Sequence, residues 1–213
     1  MPRTPHEGED AVSAPEPAEP ATSFEWTQYP GHGPAEEFLG RPATALELGC
    51  GTGTAAAHLA GTGVKVTALD LVAGQIAEAR EQWEGTANLG FLQADALDHL
   101  AATDAIYDAV YSIWGAVWFI EPGELLPLIA RRLAPGGVLA FSQAEPDPGR
   151  YGPTTTRGRA PDGSRISVRR WNLAPETWAG LLDRHGFTHI GVHIHPAPHP
   201  GDMGTLMARA HVL

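Results

Sequence analysis

The sequence has very little cysteine and lysine, and it has no long apolar run. Cys50 is the single cysteine among 213 residues, which excludes an internal disulfide and predicts a reducing, cytoplasmic setting. No apolar run approaches the length of a membrane span, and no signal-peptide pattern is present, so we expect no membrane partner. Positive charge is also scarce: 14 Lys and Arg stand against 25 Asp and Glu, a net charge of −11. This acidity argues against a nucleic-acid partner.

The residues that are present are sufficient for one α/β domain. Hydrophobic residues make up 43% of the chain, and its length favours one domain rather than two. Residues 1–22 are rich in Pro, Ala and Glu and cannot bury a core, so we expect a disordered lead there. The predicted domain covers residues 23–213, with an N-terminal lid over 23–40 and an insertion over 146–170.

Strand-like apolar runs alternate with helical patterns along the chain. The predicted strands cover residues 43–48, 64–69, 89–93, 107–113, 138–143, 187–195 and 204–211. The predicted helices cover 35–39, 73–83, 122–133 and 175–185, and a further helix begins at residue 54. Such alternation predicts a parallel sheet with helices on both faces.

The most informative segment is the glycine-rich stretch from Leu46 to Thr54, the end of a buried strand followed by a turn and a helix start. Glycines at positions 49, 51 and 53 remove every Cβ from one face of the turn, so the backbone can approach a ligand closely. A dinucleotide-binding fingerprint would place its third glycine at position 54, where Thr54 stands. Glu47 would repel a pyrophosphate and attract a cationic amino acid or a sulfonium. The segment therefore favours a nucleotide-like cofactor that carries positive charge.

This segment resembles the first motif of the class I S-adenosylmethionine (SAM)-dependent methyltransferases, and three later segments fit the same family in order. Asp70 ends the second predicted strand, Asp95 follows the third, and residues 133–139 resemble the turn into the fifth. The resemblance covers residues 40–145. It implies a Rossmann-like, doubly wound α/β sheet of seven strands with the last strand antiparallel. It also implies SAM as the cofactor and S-adenosylhomocysteine (SAH) as the product.

The resemblance implies roles for individual residues at the cofactor. Asp70 would accept both ribose hydroxyls, although a helix-capping role is the alternative, and Glu47 would lie near the ammonium. Cys50 would be a small buried residue in the loop rather than a nucleophile. The other implied cofactor-binding residues are Gly49, Gly51 and Gly53 along the methionine part, Leu71 on one adenine face, Asp95 and Ala96 at the adenine edge, and Ser112 near the ammonium.

Three segments are expected to form the acceptor pocket. The N-terminal lid would contribute Trp26, Tyr29 and His32, or else pack on the sheet edge. Trp114 and Trp118 after the fourth strand would form either an apolar acceptor wall or core. The insertion holds an arginine cluster, either on a solvated hairpin turning at residues 160–164 or as a site for an anionic acceptor. The arginine candidates are Arg157, Arg165, Arg169 and Arg170.

Methyl transfer from a sulfonium is an in-line displacement that needs alignment and exclusion of water. No fixed general base follows from this, and the candidates for one are His32, Tyr29 and Glu145. His193 and His195 alternate on a strand without matching ligands, so no metal is predicted. We expect a methyltransferase, monomer or homodimer, that modifies O, N or C of a small-molecule acceptor. A peptide, protein or other macromolecular acceptor, and SAM binding without turnover, are the alternatives.

Overall fold

The structure is a computed structural model that describes residues 22–159 and 165–213. The predicted disordered lead, apart from residue 22, and the predicted turn over 160–164 lie outside the described residues. The strands are β1 Thr44–Leu48, β2 Lys65–Asp70, β3 Leu89–Gln93, β4 Tyr107–Ile113, β5 Leu133–Ala144, β6 Gly152–Arg159, β7 Arg165–Asn172, β8 Phe187–His195 and β9 Thr205–Val212. The helices are α1 Thr54–Gly61, α2 Ala73–Gln82, α3 Ala96–Ala102, α4 Ala116–Phe119, α5 Pro122–Arg132 and α6 Pro175–Arg184, preceded by a 3₁₀ helix at Glu36–Leu39.

Seven of these strands form one sheet in the order β3-β2-β1-β4-β5-β9-β8. Strands β1 to β5 pair in parallel, and β9 lies antiparallel between β5 and β8. The predicted seven-stranded doubly wound sheet with an antiparallel last strand is therefore confirmed. Strands β6 and β7 form a separate antiparallel hairpin within the predicted insertion.

The alternating side chains of the strands build a core on each face of the sheet. On one face, Leu46 and Leu48 of β1 pack with buried side chains of α3, α5 and α6. On the other face, Ala45 and Tyr111 pack with α1 and with the aromatic N-terminal segment. Helices thus cover both faces, as the alternation of the sequence predicts.

The sequence patterns predicted neither the four-residue helix α4 nor helix α3. Helix α3 is seven residues long and buries only Ala96 and Leu100. So short a helix gives a weak apolar period, and it depends on its cap. The side chain of Asp95 supplies that cap by accepting from the amides of Leu97 and Asp98.

The loop after β1 and the turn after β4 touch backbone to backbone. A Cβ on Gly115 would lie 2.5 Å from the carbonyl oxygen of Leu48 and 2.7 Å from that of Gly49. A Cβ on Gly49, where φ is +82°, would lie 2.6 Å from the amide nitrogen of Ala116. Glycine is therefore required on both sides of this contact.

No helix within residues 22–159 and 165–213 is long and apolar enough to cross a membrane.

We expect Gly115→Ala to lower the free energy of unfolding by about 1–3 kcal/mol, because the added methyl group overlaps two carbonyl oxygens. Gly74→Ala is the matched control, since Gly74 lies inside α2 with open space around its Cβ position. That change should raise the stability by up to about 1 kcal/mol through helix propensity. Urea denaturation measures the free energy of unfolding of each variant. Equal values for Gly115→Ala and Gly74→Ala would contradict the backbone contact.

Candidate functional site

A cavity of about 840 Å³ opens at the carboxyl ends of β1, β2 and β4 and continues onto the loop after β3. In open α/β sheets, this edge is where ligands bind. Most of the predicted cofactor residues line it, namely Gly49, Cys50, Gly51, Asp70, Leu71, Asp95 and Ala96. Side chains that the sequence patterns did not single out line it too, among them Val72, Gln75, Phe119, Ile120 and Val168.

A second cavity of about 470 Å³ adjoins the first. The two cavities share Cys50, Thr52, Ile113 and Trp114, so these residues form the boundary between them. Glu47 and residues 23, 25, 27 and 28 of the N-terminal segment line the second cavity. The structure therefore brings the predicted motif residues together around two connected spaces.

The glycine-rich loop is held by the end of β2. The amides of Gly49 and Cys50 donate to the carbonyl of Leu69 at 2.8 and 2.9 Å, and the amide of Gly51 donates to Asp70 Oδ2 at 2.9 Å. Gly49, Gly51 and Gly53 have φ values of +82°, +54° and +79°, which few other residues adopt. The loop is thereby fixed in a shape that leaves one face bare of side chains.

Trp83 at the end of α2 and Phe91 of β3 pack against the same loop. The indole Nε1 of Trp83 donates to the carbonyl of Thr52 at 2.8 Å. A Cβ on Gly53 would overlap the ring of Phe91. Gly53 does not line either cavity, so its role is packing and the left-handed start of α1 rather than ligand approach.

Asp70 accepts hydrogen bonds from two backbone amides and faces the cavity. Its Oδ1 accepts from the amide of Val72 at 2.8 Å, and its Oδ2 accepts from Gly51. A carboxylate offers about four acceptor positions, so capacity for two further donors is left. Neither bond caps the first turn of α2, whose N-cap is Val72, so the helix-capping alternative is not met and Asp70 keeps the capacity to bind a ligand.

The rim beside Asp70 is unusually apolar for an exposed surface. Leu71 is 65% exposed and Val72 is 55% exposed, and both line the larger cavity. Across the cavity, Asp95 Oδ1 accepts from the amides of Leu97 and Asp98 at 2.8 and 3.2 Å. This arrangement suits a flat, apolar ring with a polar edge.

Glu47 is buried in the core beneath the N-terminal segment. It is 2% exposed, and the hydroxyl of Tyr111 donates to its Oε2 at 3.1 Å. Burial raises the pKa of Glu47 to about 8, and the charge of Asp70 adds to the rise, while the bond from Tyr111 opposes it. Phe24 packs on the ring of Tyr111 at 5.5 Å between centroids, which helps to exclude water from this carboxyl group.

Cys50 is half-buried and lines both cavities, so the expectation of a buried residue is only partly met. Burial, followed by the charges of Glu47 and Asp70, raises the pKa of its thiol well above the usual value. The thiol is therefore neutral at physiological pH, which argues against a nucleophilic role.

The end of β4 shapes the boundary between the cavities. Ser112 is fully buried, and its hydroxyl donates to the carbonyl of Leu48 at 2.8 Å, so its side chain does not line either cavity. Trp114 has a φ of +50°, a strained value for a bulky residue. Its amide donates to the carbonyl of Ser142 and its indole donates to that of Trp26, at 2.9 and 3.0 Å. These bonds hold the ring at both cavities.

The two tryptophans after β4 have different surroundings. Their rings meet edge to face, with 5.7 Å between centroids. Trp118 is only 8% exposed and does not line the cavity, which corrects its assignment to the acceptor wall. Trp114 does line it, and Phe119 and Ile120 supply the apolar wall expected of Trp118.

The predicted lid residues point elsewhere than expected. Trp26 is fully buried and donates from its indole to the carbonyl of Ala35 at 2.9 Å, so it belongs to the core. The hydroxyl of Tyr29 donates to the carbonyl of Met203 at 2.9 Å, and His32 Nε2 bonds the carbonyl of Pro196 at 2.8 Å. Both attach the segment to the β8–β9 connection, and neither lines a cavity.

Glu145 was the third candidate for a general base, and it too lies away from both cavities. Its Oε2 accepts from the amide of Gly204 at 2.8 Å, which ties the end of β5 to the start of β9. None of the three candidate bases therefore faces the larger cavity. Sequence spacing did not reveal this, because the contacts join segments far apart in the chain.

The β6–β7 hairpin has two chemically different faces. Its register pairs Thr155 with Arg169 and Arg157 with Ser167, so these residues share one face, and Arg165 lies on the same face two positions before Ser167. The side chains of Arg157, Arg165 and Arg169 are exposed and do not line the cavity, which corrects their assignment to a small anionic acceptor.

The opposite face of the hairpin packs on the body of the protein. Val168 lines the larger cavity, and the guanidinium of Arg170 lies 4.3 Å from the ring centroid of Trp118. Arg170 thus anchors the hairpin through a cation–π contact and does not reach the cavity. The period-2 alternation of residues 165–172 is the sequence signal that separates Val168 and Arg170 from the outward arginines.

Within residues 22–159 and 165–213, no group of three or more His, Cys, Asp or Glu could hold a metal ion. His193 and His195 lie with their ring centroids 6.5 Å apart.

Comparison with known proteins shows that this chain is similar to methyltransferases. A family model described as a methyltransferase domain matches residues 46–141. A malonyl-[acyl-carrier protein] O-methyltransferase of Enterobacter lignolyticus is 36% identical over 114 residues, which is 54% of this chain and 42% of that protein. A demethylmenaquinone methyltransferase of Clavibacter sepedonicus is 35% identical over 103 residues, covering 48% of this chain and 42% of that protein. The matched region thus spans less than half the length of these relatives.

Solved structures are similar over more of the chain. A complex of DhpI with SAH is 28% identical, with a TM-score of 0.62 over 78% of this chain and 75% of that chain. A Burkholderia thailandensis 1,6-didemethyltoxoflavin-N1-methyltransferase, solved with its substrate and SAH, is 25% identical with a TM-score of 0.60, covering 83% of this chain and 74% of that chain.

The raised pKa of Glu47 predicts how stability depends on pH. Between about pH 5 and pH 8 the folded protein holds a proton on Glu47 that the unfolded chain releases. The free energy of unfolding of the wild type, relative to Glu47→Gln, should therefore fall as pH rises, by at most about 1.4 kcal/mol per unit. Above pH 8 the difference should become constant. Urea denaturation at several pH values tests this, and parallel curves for both proteins would contradict it.

Proposed function

We propose that this chain, which is similar to SAM-dependent methyltransferases, transfers a methyl group from SAM to O, N or C of a small-molecule acceptor and releases SAH. The observation that carries the proposal is the larger cavity, where the bare glycine loop, Asp70, Leu71 and Asp95 meet at one edge of the sheet.

The adenosine half of SAM fits the wall between β2 and α3. Asp70 has free acceptor capacity for the two ribose hydroxyls, because only two protein amides use its oxygens. Leu71 and Val72 offer exposed apolar surface to one face of the adenine. Asp95 uses one oxygen for capping, so its other oxygen is available to the exocyclic amine.

The methionine half fits the boundary between the two cavities. The glycine loop lies there without side chains, and Glu47 lies at the wall of the second cavity. A bound ammonium would favour the ionised form of Glu47, whose pKa burial has raised to about 8. Binding of the methyl donor is thus expected to release a proton from Glu47.

The acceptor side of the larger cavity is mainly apolar. Trp114, Phe119, Ile120 and Val168 line it. SAM supplies an already activated methyl group, so these walls need only align the acceptor and exclude water. The hairpin that carries Val168 covers this side. None of the three candidate bases lines the cavity, which favours an acceptor that needs no strong protein base.

A second candidate function is methylation of an acceptor carried by a macromolecule. The outward face of the β6–β7 hairpin favours it, because Arg157, Arg165 and Arg169 are exposed there on a chain of net charge −11. An acidic protein that presents the acceptor would be attracted to this face. The malonyl-[acyl-carrier protein] O-methyltransferase relative, whose acceptor is protein-linked, supports the same possibility.

We expect Asp70→Ala to weaken SAM and SAH binding by about 1–3 kcal/mol, because the ribose hydroxyls lose a charged acceptor. Isothermal titration calorimetry on the ligand-free protein measures this. Glu81→Ala is the matched control, since Glu81 is an exposed carboxylate in the neighbouring helix α2 and does not line the cavity.

Asp70 also fixes the glycine loop, so circular dichroism must show that the variant is folded, and Asp70→Asn serves as a milder second variant. Absence of SAM and SAH binding in the folded wild type would refute the proposed function. Equal affinities of Asp70→Ala and wild type would refute the ribose assignment.

The two acceptor classes differ in their dependence on the hairpin. With radiolabelled methyl groups on SAM and a fractionated cell extract as acceptor, a small-molecule enzyme should label the low-mass fraction. The double variant Arg157→Glu, Arg169→Glu should leave that labelling unchanged, because neither side chain lines the cavity. Label in the protein fraction that the double variant loses would instead support the macromolecular acceptor.

A further inference from the structure

A third cavity, of about 450 Å³, lies at the opposite edge of the sheet from the two described above. It is formed where β1 and β4 begin, at the Gly136–Gly137 turn within β5, and at the end of β9. We propose that this cavity binds a small molecule bearing phosphate or carboxylate groups, and that Arg41 and Arg209 hold the anion.

Arg209 contributes an enclosed donor without a partner. On the sheet it pairs with Ala140 of β5 and with Gly191 of β8, and these small residues leave room for its aliphatic stem. Its Nε is buried and makes no hydrogen bond. Its guanidinium lies beside Gly40, whose Cβ position is 3.7 Å from Nη2. Because buried donors are almost always paired, an acceptor from outside the chain is expected here.

The other charged groups of the cavity leave a net positive charge. Arg41 is exposed at the rim, and His211 Nδ1 bonds the carbonyl of Gly136 at 3.1 Å, which leaves Nε2 free. The one carboxylate among the lining residues is Asp108. Its Oδ2 already accepts from the amides of residues 43 and 44 and from the hydroxyl of Thr44, at 2.9–3.0 Å.

Neither arginine has a protein counter-ion in the described part of the chain. Within residues 22–159 and 165–213, ion pairs join only His58 to Glu36 and Arg132 to Asp104. Unpaired guanidinium groups in a concave site are notable in a protein of net charge −11. Planar guanidinium forks match the paired oxygens of phosphate and carboxylate, so these are the anions that the cavity would select.

The location makes this site independent of the proposed methyl-donor site. Parallel strands begin at one edge of a sheet and end at the other, so β1 and β4 separate the two sites along their length. A ligand here can bind together with SAM or SAH.

Calorimetric titration of the full chain with pyrophosphate and, separately, with citrate tests the proposal at constant ionic strength, with and without saturating SAH. We expect saturable binding of at least one anion, unchanged by SAH, and the anion that binds assigns the ligand class. Arg209→Gln and Arg41→Gln should each weaken it by about tenfold or more. Arg131→Gln is the matched control, because Arg131 is an exposed arginine of α5 outside this cavity.

Absence of binding of both anions to the folded wild type would overturn the proposal, as would equal weakening by Arg131→Gln. Loss of the enclosed Arg209 could disturb β9. Arg41 is exposed, so Arg41→Gln should fold, and its effect on anion binding is then sufficient to decide the test. Failure of SAM binding would leave this result unaffected, so the two proposals fail separately.

Discussion

The backbone contact between the Gly49 loop and the Gly115 turn is the constraint on which the rest of the site depends. It brings the ends of β1 and β4 within atomic contact, where a methyl group on either glycine would overlap main-chain atoms. Residues of the loop and Trp114 line the same two cavities. Hydrogen bonds from the end of β2 then fix the loop, so that Asp70 and the bare backbone face the same space.

The N-terminal segment acts on the site through burial. Phe24 and Trp26 pack on the sheet face that carries Tyr111, and Tyr111 bonds the buried Glu47. By excluding water, this packing keeps a proton on Glu47 at neutral pH. Loss of that proton would leave a negative charge beside a cationic ligand. The segment therefore contributes to the raised pKa of Glu47, although Trp26 lines neither cavity.

Charged side chains of this acidic protein gather in three regions of the fold. The carboxylates of Asp70 and Asp95 and the carboxyl group of Glu47 lie at the carboxyl edge of the sheet, while Arg41 and Arg209 line the cavity at the other edge. The exposed arginines of the hairpin form a third region, turned outward by the pleat of β6 and β7. The three regions thus differ in their electrostatic surroundings.

The sequence by itself determined the alternation of the main strands and helices, because local periodicity carries that information. Its resemblance to a family, rather than periodicity, indicated the antiparallel last strand and most of the residues that line the larger cavity. The sequence could not decide which way Trp26, Tyr29, His32, Trp118 and the outward arginines point. Their placement depends on contacts between distant segments, such as Tyr29 with Met203 and Arg170 with Trp118. It also gave no sign of the cavity around Arg209, since residues 41, 108, 136 and 209 meet only when the sheet assembles. Short-range patterns fix local conformation, whereas the direction of a side chain toward solvent, core or cavity is settled by packing across the whole fold.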